Sequence, residues 1–197
     1  MNRRDWLTAL GAALAVPLPD DLLDLGRALH ARARGAGAPL QVLRPQQSEL
    51  VAAIAELILP ETDTPGAGAA RVHAFIDLAL AEWFDGADRD RFLAGLTDVD
   101  ARARGGGASD FVHAPQARQL EILTALDREL AQERDASRAG VNWRGRAAAP
   151  DQSFFQMFKR LTLVGYYTSE IGFTRELHAQ IIPGRYDGCV PLEPRGS

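Results

Sequence analysis

The chain has 197 residues, 46% of them apolar, a formal net charge of −4 and one cysteine. That length favours a single domain able to bury a real core, and the apolar fraction argues against wholesale disorder. The charge gives no reason to expect nucleic acid. One cysteine rules out an intrachain disulfide, a c-type haem attachment site and a four-thiolate iron–sulfur cluster in this chain.

The chain opens MNRRDWLTALGAALAVPLPDD. Arg3 and Arg4 precede Trp6 and Leu7, and no charge follows Asp5 until Asp20. The apolar run Leu7 to Leu18 is shorter than the about 20 residues that a membrane-spanning helix needs. A basic start, a short apolar centre and the small-residue site Ala13-Leu14-Ala15 are the parts of an export leader. The order Arg3-Arg4, then Trp6-Leu7, is similar to a twin-arginine signal, an address read by a receptor. The competing reading is an amphipathic first helix with two chance arginines, in a chain rich in arginine whose single lysine is Lys159. The terminal position of the pair favours export, so residues 1–19 are read as a twin-arginine-type leader and the periplasm as the destination.

Residues 20–47 read as a weak helix with a Leu22, Leu25, Leu29 stripe, followed by a linker. From there apolar residues recur at helical spacing. Leu50, Ile54, Leu57 and Ile58 form one stripe, stopped by Pro60. Val72, Phe75, Ile76, Ala79, Leu80 and Trp83 form a second. Phe92, Leu96, Val99 and Ala103 form a third, ended by Gly105-Gly106-Gly107. Pro115 is placed to start a fourth, with Ile122, Leu123, Leu126 and Leu130 inward. Asp135 to Pro150 is polar and rich in Gly, Ala and Arg, a loop composition. FFQMFKRLTLVGYYTSEIGF, residues 154–173, is apolar nearly all round, the pattern of a central helix buried against several neighbours. Strand-like alternation is essentially absent. The expected fold is all-α: one compact helical domain with a central buried helix, an export leader before it and an extended tail after it.

Two irregular stretches stand out. PETDTPG, residues 60–66, is a turn-rich acidic link between the first two core helices. Ile182 to Leu192 is too rich in Gly and Pro for regular structure and reads as an extended tail. The terminal residues 193–197 resemble a vector-derived remnant and carry no functional weight.

Familiar chemistry is scarce. His30, His73, His113 and His178 lack metal-binding spacing, with His73 read as an interfacial or surface residue. Glu61 and Asp63 lack the alternating oxygen pattern of a calcium loop and read as turn-formers. Gly66-Ala67-Gly68 lacks the third small residue of a dinucleotide fingerprint and follows a helix where a strand is required. Glu170 and Tyr167, on an apolar helix, could act as acid and hydrogen-bond donor; a charge bonded near the helix end is the favoured alternative. Cys189 is either buried or available to another chain.

Four blocks together resemble the gluconate 2-dehydrogenase subunit 3 family: LILPETDTPGA (57–67), VHAFID (72–77), LTLVGYYTSE (161–170) and PGRYDGCVPL (183–192). Their order and spacing agree from about Ser48 to Leu192, which makes 48–192 the expected family domain. The resemblance implies a small, cofactor-free, non-catalytic subunit with no catalytic, cofactor-binding or metal-binding residues of its own. It further implies a large FAD-dependent partner of the glucose–methanol–choline type that oxidises sugars or sugar acids, and a multihaem cytochrome c as a third subunit. Export by the twin-arginine translocase then involves Arg3, Arg4, Trp6 and Leu7. Contact with the partner is assigned to Pro60, Asp63 and Pro65 of the acidic link and to Ile182, Tyr186, Cys189, Val190 and Leu192 of the tail. The alternative is a self-sufficient exported helical protein, a hydrolase or small-ligand binder.

Overall fold

The computed structural model describes residues 21–33, 39–139 and 153–178. Among them run six α-helices and one π-helical turn, with no strand: α1 (Asp21–Ala33), α2 (Pro45–Ile58), α3 (Val72–Glu82), α4 (Gly86–Gly105), α5 (Gln116–Ala139), α6 (Phe154–Tyr167) and the turn Gly172–Glu176. The all-α expectation holds. The leader residues Arg3, Arg4, Trp6 and Leu7 and the tail residues Ile182, Tyr186, Cys189, Val190 and Leu192 lie outside the described residues.

Helix α6 is the hub and packs against all five other helices. Phe155, Met157, Phe158 and every residue from Leu161 to Tyr166 are buried, as a helix apolar around its circumference requires. Each fully buried large apolar side chain contributes about 1.5–3 kcal/mol. On one side, the Phe158 ring stacks on Phe92 of α4 at 5.7 Å, with Phe154 edge-on to Phe92 at 5.3 Å. On another, Phe75 of α3 lies so close that a Cβ on Gly165 would stand 2.7 Å from its ring. Glycine is what lets these two helices approach there. Lys159 is 4% exposed and enters this core as a partnered charge, its Nζ 2.5 Å from Asp127 of α5 and 5.4 Å from the Phe155 ring centre.

The apolar stripes read from the sequence coincide with the buried faces of α2, α3, α4 and α5. Leu50, Ile54 and Ile58 are buried, with Leu57 at the margin. The α3 set is fully inward except Trp83, which caps the helix and is half-buried. The ends are local chemistry. Pro45 opens α2 with the Gln47 side chain accepting the Arg44 N–H at 3.0 Å, and Asp85 caps α4 by accepting the Asp88 N–H at 2.9 Å.

Two helix ends differ from expectation. Helix α5 runs on to Ala139, past the loop expected from Asp135, because no Gly or Pro interrupts it before Gly140 and Ala and Arg are good helix formers. The rest of that loop lies outside the described residues. The segment 154–173 is not one helix: α6 stops at Tyr167. There the Thr168 hydroxyl donates to the Val164 carbonyl and the Ser169 hydroxyl to the Tyr166 carbonyl, each at 2.6 Å. The Tyr166 carbonyl, which the next helical turn would use, accepts the Ser169 N–H and hydroxyl, and the chain re-forms as the π-helical turn.

Helix α1 shares this core, packing on α3 and α6. Leu29 and His30 are buried. The His30 ring stacks on Phe75 at 4.9 Å, and its Nε2 lies 2.5 Å from the Gly165 carbonyl. Beyond α1, the stretch Gln41–Leu43 is held by one buried carboxylate. Asp77 of α3 accepts the N–H groups of Gln41, Val42 and Leu43 at 2.7, 3.0 and 2.7 Å.

Candidate interaction site

Of the residues assigned to a partner, Pro60, Asp63 and Pro65 fall on described backbone, in the link between α2 and α3. Pro60 and Asp63 are exposed and Pro65 is half-buried. The sequence reads this stretch as a turn-rich acidic link between core helices. The structure ties it down from three sides. From α2, Glu56 accepts the Glu61 N–H at 2.8 Å and the Gly68 N–H at 2.7 Å. A Cβ on Gly66 would meet that carboxylate at 2.3 Å, so only glycine lets the loop close around it. From α6, the buried Tyr166 hydroxyl donates to the Pro65 carbonyl at 2.6 Å. From the π-helical turn, Glu176 accepts the Thr64 hydroxyl at 2.6 Å.

Inside the loop, the Thr62 hydroxyl donates to Asp63 at 2.9 Å and the Thr62 N–H to the Thr64 carbonyl at 3.0 Å. Asp63 sits at the centre of this tight Thr62–Thr64 bend. Glu61 is engaged through its backbone. The result is an exposed acidic loop with a fixed shape, beside the π-helical turn that carries Phe173 and is followed by the 52% exposed Leu177. Glu56, Tyr166 and Glu176 were missed as supports. The last two lie 101 and 112 residues from the loop atoms they bind, and no local pattern marks such partners.

Next to this loop a cleft of about 330 Å³ lies between α1, the start of α3 and the π-helical turn, lined by His30, Ala70, Arg71, Ser169, Glu170 and Arg175 among others. Glu170 is exposed and stands beyond the end of α6, outside the apolar helical setting in which an acid–base role was considered. Tyr167 is half-buried, edge-on to Tyr166 at 5.2 Å. His73, in the first turn of α3, is half-buried, and its Nδ1 is buried without a hydrogen-bond partner among the described residues. Burial pushes its pKa below the ordinary 6.5, the nearby Arg71 pushes the same way, and Asp77 opposes them.

Among the described residues no three His, Cys, Asp or Glu side chains gather as metal ligands, and no helix is long and apolar enough to cross a membrane. Several charges on α4 and α5 answer one another. Arg102 bonds Asp98 and Glu129, each at 2.7 Å, and the Glu129 hydrogen bond is the main cause raising its pKa above the usual arginine value. Arg118 pairs with Glu121 at 2.8 Å.

The family model described as gluconate 2-dehydrogenase subunit 3 matches residues 45–184, from the first residue of α2 past the π-helical turn. Comparisons with curated proteins and with solved structures give no match.

Proposed function

The chain belongs to the gluconate 2-dehydrogenase subunit 3 family, and we propose that it is the non-catalytic small subunit that binds, stabilises and exports a folded FAD-dependent sugar or sugar-acid dehydrogenase. The family name itself implies a subunit of a multi-subunit dehydrogenase complex. The family match over residues 45–184 carries the reading.

Chemical reasons support the finer parts. A flavoprotein folds around its cofactor where the flavin is made, so it cannot afterwards be threaded unfolded through a narrow channel. A route for folded cargo is then needed, and one address serves a whole complex. Arg3-Arg4 ahead of Trp6-Leu7 supplies that address on the small chain. The acidic link suits the binding role, because a loop already held by Glu56, Tyr166 and Glu176 loses little freedom when a partner covers it.

In this reading Pro60, Asp63 and Pro65, with the tail residues Ile182, Tyr186, Val190 and Leu192, lie against the large subunit over roughly 800 Å² per partner. Cys189 is shielded by that subunit or bonded to it. FAD sits in the large subunit, haem c in a third, and oxidation takes place in the periplasm. Native purification through this chain tests the reading. It should bring down a large chain with a flavin spectrum and sugar-oxidising activity. Recovery of the small chain alone, with the flavin elsewhere, would contradict it.

A further inference from the structure

The cleft between α1, the start of α3 and the π-helical turn brings together two cations that are unpartnered among the described residues. Elsewhere, Arg91, Arg102 and Arg118 on α4 and α5 each have a carboxylate partner within the domain. At the cleft, Arg71 and Arg175 project from separate segments, the entry to α3 and the π-helical turn, and neither guanidinium has a hydrogen-bond or ion-pair partner among the described residues. Glu170 is the one carboxylate among the lining side chains, leaving two cations against one anion.

The other polar lining groups are already committed. The Ser169 hydroxyl donates to the Tyr166 carbonyl, Thr174 to the Glu170 carbonyl, and His30 Nε2 meets the Gly165 carbonyl. A carboxylate would find two guanidiniums, the side chains best shaped to hold it.

The setting of Arg71 is also unfavourable as it stands. It occupies the cap position of α3, where the helix dipole presents positive charge, with no acidic residue in the first turn and no side-chain cap. An anion in the cleft would relieve that repulsion. Leu177, next to the π-helical turn, is an exposed large apolar side chain.

We infer that the Arg71–Arg175 cleft receives an acidic segment of the large subunit, whose Asp or Glu side chains pair with both guanidiniums. This extends the partner surface from the Pro60–Pro65 loop across the π-helical turn, and it rests on the reading of the chain as a partner subunit. Charge complementarity of this kind fixes register and speeds encounter.

The test uses the complete complex, produced with both chains. Arg71→Glu and Arg175→Glu should each weaken assembly by about tenfold or more, and raising the salt concentration should weaken the wild-type complex and have less effect on the variants. Arg71→Gly suits the left-handed backbone at this position, where φ is 52°, so it should keep the fold and still lose affinity. Arg102→Ala, at a cation paired within the domain, should leave assembly unchanged. Normal assembly of all the cleft variants with the large subunit would overturn the cleft assignment and leave the subunit reading intact. A wild-type chain that captures no large subunit would overturn both.

Discussion

The Tyr166 hydroxyl, buried in the central helix, reaches the Pro65 carbonyl at 2.6 Å, across 101 residues of sequence. Through this bond the middle of the core sets the position of the exposed acidic link. The consequence is that packing around α6 and presentation of the loop are one structural fact.

Tyr166→Phe removes that bond while keeping the ring in its packed site. The expected cost is about 1 kcal/mol of stability, the usual net value of one hydrogen bond, read from the urea unfolding midpoint. Limited proteolysis should show faster cutting near Thr62–Thr64, and binding of the large subunit should weaken. An unchanged midpoint with unchanged cutting would mean that Glu56 and Glu176 hold the loop without help.

His73 gives a pH signature. Its folded pKa lies below the ordinary 6.5, so under mildly acid conditions the unfolded chain binds more protons at this residue than the native one. Stability therefore rises with pH across the interval between the folded pKa and 6.5. On acidification the loss begins near 6.5 and stops once the folded form is protonated too. His73→Gln should flatten this part of the stability profile, measured by urea denaturation at successive pH values. Parallel profiles for the two proteins would show that His73 ionises alike folded and unfolded.

The sequence exposes what is local and periodic. The buried stripes of α3 and α4 are readable because every third or fourth residue is apolar, and Pro60 and the Gly105–Gly107 run mark real ends. Positions set by distant partners are not readable. His30 and Asp77 look like surface residues until Gly165 and the Gln41–Leu43 backbone arrive. At the break after Tyr167 the Ser169 N–H and hydroxyl turn back onto the Tyr166 carbonyl, which apolar periodicity does not record. For the interaction site, the acidic composition and turn chemistry of residues 60–66 were legible. Its supports, and the pairing of Arg71 with Arg175 in one cleft, come only from the three-dimensional packing.

In the proposed function, export of a folded partner turns on the guanidinium pair at the start of the chain. Arg3→Lys and Arg4→Lys together keep the charge but lose the planar, bidentate donors of arginine. The decisive measurement is dehydrogenase activity and flavin content in separated cytoplasmic and periplasmic fractions of cells making this double variant with the large subunit. If the small chain carries its partner out, the activity stays in the cytoplasm with flavin bound. A large subunit that reaches the periplasm at wild-type levels would contradict the escort role and confine the leader to this chain alone.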